Sequence, residues 1–383
     1  MPVQRATTVR EPQRGFHCHY QNRGKQSIGR MLWMLTLVSL VRLSIALVPA
    51  SQPSVLFSLS PPRTRTSRQH LALSSTQTTS ESNKSTEFSE ADMEGMNHEA
   101  RFGGISRLYS AHKMNSADSS SSDQTLLDRL QKSTVVVVGL GGVGSWAAEA
   151  LCRSGVGHLA LIDLDDICIS NTNRQLHTTS ATVGQFKIDV LADRFRSINP
   201  RCHVTCINDF VSAENVHSIL DEIHNTSINE LGGSGITAVL DAIDGSTAKA
   251  ALLAACTDRK LPTVTVGGAA GRLDPSAIVC HDLSVVKDDK LLSTCRRYLR
   301  KDYGFPPGAA FHEKKKKVKK FRLPAVYSTE GVPDIPASAT TSNLRQCDGA
   351  LGTACFVTGT FGFMAASQIM KGIAQNNLKP PRR

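Results

Sequence analysis

The chain has 383 residues, of which 40% are hydrophobic, 20% charged and 5% aromatic. This length suggests two domains or one large domain with tails, and it suffices to bury a full core without disulfides or a structural metal. The hydrophobic fraction excludes collagen-like and fully disordered classes. The net charge of +11 is uneven, because residues 1–80 carry ten basic residues and one acid while the rest carries 34 basic and 32 acidic residues. The basic excess therefore lies mostly in the N-terminal tail.

This tail has the pattern of a targeting segment. It contains no acid between Pro12 and Ser80, and basic residues precede an apolar run at Met31–Val48. Basic, acid-free, serine-rich leaders are typical of organelle presequences, and a basic region before an apolar run also occurs in signal peptides. As a helix the run is about 27 Å long, which is marginal for a bilayer, and Arg42 interrupts it. We expect residues 1–50 to be an organellar leader, mitochondrial first and plastid as the alternative, or else a retained membrane anchor. A mispredicted start or plain disorder is the third alternative.

The rest of the chain is expected to hold one folded domain. Residues 51–100 are polar and rich in Ser and Thr, which predicts a disordered linker. We therefore expect the domain to start near Arg101 and to cover residues 101–375. The ten cysteines are scattered and form no CxxC pair, so the zinc-ribbon spacing is absent. Thiols inside apolar patterns are typical of buried small side chains and indicate a reducing compartment.

Apolar runs alternate with helical patterns in the middle of the chain. Because continuous apolar strands need cover on both faces, this alternation predicts an α/β domain with a Rossmann-like, doubly wound and mostly parallel sheet. Ligands of such sheets bind beyond the carboxyl ends of the strands. The predicted strands are Thr134–Val138, His158–Ile162, Val204–Ile207, Ala238–Ile243 and Pro262–Val266, and the predicted helices include Lys187–Ile198 and Lys249–Thr257.

A glycine motif follows the first predicted strand. Gly139, Gly141 and Gly144 fit the pattern G-x-G-x-x-G between a strand and a helix, with Gly142 inside it. Glycine permits a tight turn and lets backbone N–H groups approach phosphate at the helix N-terminus. Asp163 lies 19 residues after Gly144 at the end of the second strand, where a carboxylate accepts hydrogen bonds from ribose hydroxyls. The motif predicts a nucleotide site but does not separate NAD from ATP.

Polar residues beyond Asp163 separate these two nucleotides. Asp165 follows directly, and Asn171, Arg174 and Lys187 come within a short stretch after it. A dehydrogenase has no need for an amide and two cations packed this closely after its ribose acid. An enzyme that breaks the α–β bond of ATP does, because cations neutralise the charge on the phosphates and on the leaving pyrophosphate. This set of residues therefore favours ATP.

Four sequence blocks carry a family resemblance: GLGGVGSWAAEAL, LIDLDDICISNTNRQ, VGQFK and VLDAIDG. With them, the chain from Arg101 to about Lys371 resembles the ThiF/MoeB/HesA superfamily of adenylating enzymes, the type that also activates ubiquitin-like modifiers. Within it the chain is most similar to the branch of tRNA threonylcarbamoyladenosine dehydratases, also called CsdL-like. The marks of that branch are RFGGISRLY at 101–109, NTNRQLH at 171–177, GGA at 267–269, YSTE at 327–330 and FGF at 361–363.

The resemblance implies an activity and its substrates. The expected substrate is tRNA carrying N6-threonylcarbamoyladenosine beside the anticodon. Its threonyl carboxylate is adenylated with ATP and Mg²⁺, and pyrophosphate is released. The carbamoyl group of the same modification then attacks the activated carbonyl, closes a ring and expels AMP, so that the net change is loss of water. This step needs no enzyme nucleophile, because proximity already favours ring closure.

The resemblance also assigns roles to single residues. The Gly139–Gly144 loop matches the family's phosphate loop, Asp163 matches its ribose side, and Asp165 is implied among the cofactor-binding residues. Asp244 matches the acid that helps to hold Mg²⁺ near the pyrophosphate, since carboxylate and phosphate oxygens suit this ion. Asp241 is expected to end its strand structurally. The residues implied in catalysis are Asn171, Arg174, Lys187, Asp244 and Arg107.

Partners are implied as well. In this superfamily an arginine from the N-terminal segment of the partner subunit reaches the ATP, which implies a homodimer. Arg101 and Arg107 are the candidates, and the pattern does not choose between them. A sulfur-relay protein is a further implied partner, and the apolar run of the N-terminal tail suggests membrane association.

Clustered cations indicate where RNA binds, because they drive affinity for nucleic acids. The run Lys287–Lys301 carries them at largely helical spacing. Two other runs, Ser116–Asp123 and Pro306–Pro324, resemble inserted loops, and the second carries Lys314–Lys320 as either a tRNA phosphate contact or a solvated loop. The predicted nucleic-acid residues are Lys290, Arg296, Arg297, Arg300 and Lys301.

Two further features have competing interpretations. Cys295 lies beside Arg296 and Arg297, which lower a thiol pKa, but the implied chemistry requires no cysteine, so we expect it not to be catalytic. Leu351–Ile373 is apolar and rich in Gly, Ala and Thr. We expect it to be a core or dimer helix rather than a membrane span.

Three other functions remain open. The main alternative is an adenylyltransferase for a ubiquitin-like sulfur-carrier protein, against which the missing CxxC pairs count. An NAD-dependent oxidoreductase is disfavoured by the set Asn171, Arg174 and Lys187. A catalytically silent binding protein is disfavoured because every phosphate-facing position carries the expected residue type.

Overall fold

A sheet of short apolar strands forms the centre of the fold. The computed structural model describes residues 90–113, 123–308, 318–333 and 351–383. The strands within these ranges are β1 (Thr134–Val138), β2 (His158–Ile162), β3 (His203–Ile207), β4 (Ile236–Asp241), β5 (Thr263–Val266), β6 (Ile278–Asp282) and β7 (Pro324–Ser328). They form one seven-stranded sheet in the order β3-β2-β1-β4-β5-β7-β6. Neighbouring strands pair in parallel except β6, which runs antiparallel to β7 at the edge. The predicted mostly parallel α/β sheet is confirmed.

Helices connect the strands and cover both faces of the sheet. Within the described ranges they are α1 (Glu90–Lys113), α2 (Asp123–Gln131), α3 (Gly144–Arg153), α4 (Lys187–Ile198), α5 (Val216–Asn229), α6 (Ser246–Asp258), α7 (Lys290–Asp302) and α8 (Cys355–Ala374). Alternate residues of β1 show the two layers. Val135 and Val137 pack in the cluster that includes α3, α4 and α8, whereas Val136 and Val138 pack against α5 and α6. This two-sided burial explains why β1 is a continuous run of apolar residues.

Several predicted bounds change in the structure. The predicted strand Ala238–Ile243 ends at Asp241, because the Asp241 carboxylate accepts a hydrogen bond from the backbone N–H of Ile243 at 3.1 Å and turns the chain towards α6. The helix predicted over Lys249–Thr257 extends to both sides. The sequence analysis did not predict α5, β6 or β7. β7 begins with Pro324, and two of its five residues are polar or proline, which obscures the strand pattern.

The described part of the chain begins earlier than the predicted domain. α1 starts at Glu90, eleven residues before Arg101, so the last part of the predicted 51–100 linker is helical. Glu, Ala and Met there are good helix formers although they show no apolar period. The leader at 1–50, residues 116–122 of the first insert-like run and residues 309–317 of the second lie outside the described residues, and their predictions stay predictions.

α8 is the predicted helix at the C-terminal end. It packs against α3, and Phe361, Ala365 and Ile369 are fully buried in the core. A side chain at Gly362 would meet the Val143 carbonyl oxygen at 2.6 Å, so glycine is needed for this close approach. Within the described ranges no helix combines the length and apolar character needed to span a membrane.

Candidate nucleotide-binding and catalytic site

The glycine loop between β1 and α3 requires glycine at two positions. Gly139 has φ +85°, and a Cβ atom there would lie 2.8 Å from the Ala242 carbonyl oxygen. A Cβ atom on Gly144 would collide with the carbonyl oxygen of Gly139. By contrast, a Cβ atom on Gly141 would meet nothing within 4 Å. Gly139 and Gly144 therefore shape the turn, and Gly141 borders open space.

Backbone donors of this loop are available for a ligand. The carbonyl oxygen of Gly141 accepts from the N–H of Ser145 at 3.2 Å and from its hydroxyl at 2.7 Å. The N–H groups of Gly141 and Gly142 donate to no residue that the structure describes. Free N–H groups at the start of a helix, with the positive end of its dipole, form an anion site. The loop can therefore hold phosphate.

Asp163 fixes the glycine loop to the end of β2. One of its carboxylate oxygens accepts from the N–H of Leu140 at 2.6 Å, and the other accepts from the N–H of Asp165 at 2.9 Å. The Asp163 side chain is almost buried. Each oxygen keeps a lone pair for a further donor, so the carboxylate can still accept a ribose hydroxyl.

Lys187 brings a cation to the same edge of the sheet. It is the first residue of α4, and its ammonium lies 2.6 Å from the carboxylate of Asp165 and 3.8 Å from that of Asp163. The chain reaches this position because Phe186 forms an isolated bridge with Asp166. The structure thus brings Asp163, Asp165 and Lys187 together in one cavity wall, and their roles towards a nucleotide stay predictions.

Arg174 and Asn171 have different surroundings. Arg174 lines the cavity, and its guanidinium donates to the carbonyl oxygen of Ser170 at 2.9 Å and to the side-chain oxygen of Asn173 at 3.0 Å. Asn171 is buried, and its side-chain oxygen accepts from the N–H of Cys168 at 3.0 Å. Asn171 therefore closes a short 3₁₀ turn outside the cavity wall, and its role at the phosphates stays a prediction.

Asp244 faces the cavity from the turn between β4 and α6. The pKa of its carboxyl group is raised above the ordinary value, chiefly by burial and also by the charge of Asp289. The charges of Lys249 and Arg174 oppose this rise. Asp241, at the end of β4, is fully buried instead. Its carboxylate accepts from the Lys249 ammonium at 2.8 Å and from the Thr265 hydroxyl at 2.6 Å. Asp241 is thus structural, as predicted.

These groups surround one cavity of about 690 Å³ beyond the carboxyl ends of β1, β2, β4 and β5. The glycine loop, Asp163, Asp165, Arg174, Lys187 and Asp244 all line it. Its remaining wall includes the 267–270 loop after β5 and the first turn of α7 through Leu291. From the sequence, Gly267–Ala269 is recognisable only as a family mark, and Asp289 is not recognisable as part of the site. The position of this loop directly after a strand was the available signal.

Asp289 joins the cavity to α7. It is buried, and one carboxylate oxygen accepts from the N–H of Gly268 at 2.9 Å while the other caps α7 through the N–H of Leu292 at 2.8 Å. A Cβ atom on Gly267 would collide with this carboxylate. The cavity wall and the start of the basic helix are therefore held in one position.

The predicted nucleic-acid residues lie on α7 as expected from their spacing. Arg296, Arg297, Arg300 and Lys301 line a shallow groove of about 470 Å³, and Lys290 is exposed outside it. Arg296 and Arg300 are partly buried, because each donates to backbone carbonyl oxygens: Arg296 to those of Leu283 and Val286, and Arg300 to that of Pro306. The groove therefore presents cations that the protein holds in place.

Two predicted features lie away from the cavity. Arg101 and Arg107 are exposed on α1 and do not line the cavity of their own chain, and Arg101 donates to the carbonyl oxygen of Ile198 at 3.2 Å. Cys295 is fully buried, and burial raises the pKa of its thiol to about 12. A buried, protonated thiol is not a nucleophile, in agreement with the expectation that Cys295 is not catalytic.

Comparisons with known proteins support this site. The model of the ThiF family matches residues 115–382. The tRNA threonylcarbamoyladenosine dehydratase of Haemophilus influenzae is 41% identical over 276 residues, which are 72% of this chain and 93% of that protein. The Escherichia coli protein of the same name is 38% identical over 280 residues, 71% of this chain and 92% of that protein. A crystal structure of the E. coli dehydratase TcdA in complex with ATP has a TM-score of 0.58 and 37% identity, covering 73% of this chain and 95% of that one. The chain belongs to the ThiF family and, within it, to the group of the tRNA threonylcarbamoyladenosine dehydratases.

Proposed function

We propose that this chain is an ATP-dependent tRNA threonylcarbamoyladenosine dehydratase. It adenylates the threonyl carboxylate of the modified nucleotide and releases pyrophosphate. The carbamoyl group of the same nucleotide then attacks the activated carbonyl carbon, a ring closes, and AMP leaves. The observation that carries this proposal is the cavity of about 690 Å³ in which glycine-loop N–H groups, the cations Arg174 and Lys187 and several carboxylates converge in a chain of this family.

The cavity fits ATP as a substrate. Gly141 borders open space, and the N–H groups of Gly141 and Gly142 are available to phosphate oxygens. Asp163 retains acceptor capacity for the ribose. The volume lies within the range of small-molecule sites, which is roughly 300–1,000 Å³. ATP supplies the adenylyl group; the residues of the chain bind and orient it.

Arg174 and Lys187 act on the charge that develops during adenylation. Attack of the carboxylate on the α-phosphorus increases negative charge on the phosphate oxygens and on the departing pyrophosphate. Both cations are held at the cavity wall by hydrogen bonds or ion pairs before a ligand enters, so little reorganisation is needed in the transition state. Truncating such a group typically costs about 10²-fold in kcat.

Asp244 is the proposed ligand of Mg²⁺. Its carboxylate lines the same cavity as the glycine loop. Burial and the charge of Asp289 keep its pKa above the ordinary value, and a bound cation would lower that pKa. Among the described residues, no group of three or more His, Cys, Asp or Glu side chains is arranged so that it could hold a metal ion. One protein carboxylate plus phosphate oxygens is a common arrangement for Mg²⁺, so Asp244 completes a site that the nucleotide brings with it.

We propose that the enzyme acts as a homodimer in which Arg107 or Arg101 of one subunit reaches the nucleotide of the other. Both arginines lie away from the cavity of their own chain. An exposed apolar surface is available for the contact between subunits. Phe356 and Phe363 are exposed seven residues apart on α8, and the ring centroids of Trp146 and Phe363 lie 6.0 Å apart in an edge-to-face arrangement. Such surfaces are typical of interfaces.

The RNA is proposed to lie along the α7 groove, with its modified nucleotide in the cavity at the start of that helix. Asp289 supports this because it ties the first turn of α7 to Gly268 in the cavity wall. The N-terminal tail is proposed as a mitochondrial leader, with a plastid leader or membrane anchor as the alternatives, and a sulfur-relay partner remains a prediction from the family.

Pyrophosphate exchange distinguishes the dehydratase from the main alternative, which is activation of a ubiquitin-like sulfur carrier. The full chain is incubated with ATP, Mg²⁺ and labelled pyrophosphate, with either tRNA bearing threonylcarbamoyladenosine or a carrier protein ending in Gly-Gly. Exchange that depends on the tRNA supports the dehydratase. Exchange that depends on the carrier protein, with none from the tRNA, overturns it.

A further inference from the structure

A second cavity lies at the amino-terminal ends of the parallel strands, whereas the nucleotide cavity lies at their carboxyl ends. This second cavity has a volume of about 450 Å³ and lies where β5 and β7 begin, β6 ends and α8 finishes. Its wall shares no residue with that of the nucleotide cavity. At about 3.3 Å per residue, the strands that separate the two cavities are roughly 15–20 Å long. The nucleotide site therefore does not explain this cavity.

The wall of this cavity is strongly basic. Four cations line it: Lys320, Arg322, Lys371 and Lys379. All four are exposed, and none of their side chains donates to a residue or forms an ion pair within the described part of the chain. Gln368, Gln375 and Asn377 add neutral amide donors. These are the groups that proteins use to hold phosphate.

The single carboxylate in the wall is engaged elsewhere. Asp282 accepts from the N–H of Phe321 and of Ser284, each at 3.0 Å, through one oxygen, and from the N–H of Arg322 at 2.7 Å through the other. It therefore serves as a scaffold for the backbone turn rather than as an ion-pair partner of the cations.

That turn is held in a costly conformation. Arg322 has φ +57°, a region that residues with a side chain rarely adopt. The C-terminal tail holds the turn from the other side, because Arg382 donates from its N–H to the Phe321 carbonyl at 2.8 Å and from its side chain to the Lys320 carbonyl at 3.2 Å. Strained backbone that its surroundings hold so firmly is typical of functional sites.

We infer that this cavity binds phosphate of the RNA backbone, at a distance from the modified nucleotide. The inference rests on the proposed function, which supplies RNA as the substrate. Among the described wall residues there is no Phe, Tyr or Trp, and the ring of His281 is hydrogen-bonded to the Tyr327 hydroxyl at 3.1 Å. The large aromatic platform on which bases stack is therefore absent from the described wall. A backbone site with four cations therefore fits better than a site for a free nucleotide.

The test compares RNA binding by variants that separate charge from folding. Arg322→Gly removes one cation and also relieves the positive φ, so the melting temperature is expected to stay equal or rise while tRNA affinity falls. The double variant Lys371→Gln/Lys379→Gln removes two cations. Lys132→Gln is the control, because Lys132 is exposed near the start of β1, outside the cavity. The slope of log affinity against log salt is expected to become shallower by about one for each cation that no longer meets a phosphate, with no change for the control.

The outcomes separate this inference from the proposed function. Unchanged salt slopes in both cavity variants, with wild-type tRNA binding intact, overturn the inference and leave the dehydratase assignment standing. Loss of stabilisation by inorganic phosphate in these variants, with tRNA slopes unchanged, also overturns it, because the site then holds a small anion. A wild-type chain that activates a carrier protein and does not bind tRNA removes the proposed function itself.

Discussion

The ammonium of Lys187 lies 2.6 Å from the Asp165 carboxylate at the edge of the nucleotide cavity. The Lys187 side chain is 6% exposed, whereas that of Asp165 is 58% exposed. The pair thus joins a buried ammonium to a carboxylate that is largely exposed to solvent, and a carboxylate in this position can be displaced at little cost. Under the proposed function, a phosphate that enters the cavity would compete with Asp165 for the ammonium, and the ion pair would hold the cation in place until then.

Replacing Lys187 should therefore damage catalysis more than replacing its partner. Lys187→Met is expected to lower kcat by about 10²-fold, because the cation that faces the leaving pyrophosphate is removed. Asp165→Asn keeps the cation and removes only a solvent-exposed acid, so its effect should stay below about tenfold. Steady-state kinetics of pyrophosphate release measure both. A Lys187→Met enzyme with wild-type kcat contradicts the role given to this cation.

Two glycines of the same loop should respond differently to alanine. Gly144→Ala places a Cβ atom on the Gly139 carbonyl oxygen and should lower the free energy of unfolding by at least about 1–3 kcal/mol. Gly141→Ala meets no atom within 4 Å, so the folded state should keep its stability while ATP affinity falls. Urea unfolding with and without ATP distinguishes them. Equal losses of stability in the two variants speak against this geometry.

The buried pair of Asp241 and Lys249 should carry a large stability cost when it is broken. Both side chains are fully buried, 2.8 Å apart. Lys249→Met leaves the Asp241 charge unpaired and is expected to destabilise by about 3–5 kcal/mol. The matched surface variant Arg259→Met breaks an ion pair with Asp221, which is 59% exposed, and should cost about 1 kcal/mol or less. Denaturant midpoints of the two variants should differ accordingly, and equal midpoints contradict the prediction.

Because His158 is buried with a lowered pKa, we expect the free energy of unfolding to fall in acid. The His158 ring bonds Thr134 at 3.1 Å and Thr205 at 2.9 Å, and burial, with the neighbouring His203, lowers its pKa to about 4. Because the unfolded chain binds the proton near pH 6.5 and the folded chain does not, stability is fully present above pH 6.5. It declines as the pH falls towards 4, by at most about 3 kcal/mol from this residue.

The test for His158 is the free energy of unfolding of the wild type and of His158→Gln, measured from about pH 7.5 to about pH 4. This range covers the ordinary histidine pKa of about 6.5 and the folded value of about 4. The variant should start less stable at neutral pH and lose less on acidification. His177, whose pKa burial also lowers to about 4, remains in both proteins and cancels in the comparison. Parallel pH curves contradict the assignment to His158.

Mixing of two inactive variants tests whether an arginine is supplied by the partner subunit. Arg174→Ala damages the cavity of its own chain, and Arg107→Ala removes the candidate arginine. If Arg107 acts on the other subunit, co-refolded mixtures contain heterodimers with one intact site and recover about a quarter of wild-type activity. The same mixture made with Arg101→Ala decides between the two candidates. Mixtures that stay inactive for both arginines contradict supply from the partner.

The sequence was most informative where the pattern is local. β1, the glycine loop and α4 follow from a β-branched run, a fixed glycine spacing and an apolar period, and the structure has them within a residue of the prediction. Asp163 and Lys187 both line the nucleotide cavity, and their approach to within 3.8 Å of each other was not predicted. β6, β7 and the role of Asp289 were not predictable in this way, since each depends on contacts between segments far apart in sequence, such as that of Asp289 with Gly268.

Asn171 illustrates the same limit at the site itself. Its residue type and spacing predict a phosphate contact, yet its side-chain oxygen is used by the N–H of Cys168 in a turn of three residues. Side-chain-to-backbone bonds of this kind compete with ligand contacts for the same residue types. Spacing alone could not decide between the two.

The central claim is tested most directly by weighing the modified nucleoside. The full chain is incubated with ATP, Mg²⁺ and tRNA bearing threonylcarbamoyladenosine, and the tRNA is digested to nucleosides for mass spectrometry. We expect the nucleoside to lose the mass of one water in the wild-type reaction and to keep its mass with Arg174→Ala or without ATP. A nucleoside that is unchanged after incubation with folded, ATP-binding wild-type protein contradicts the account.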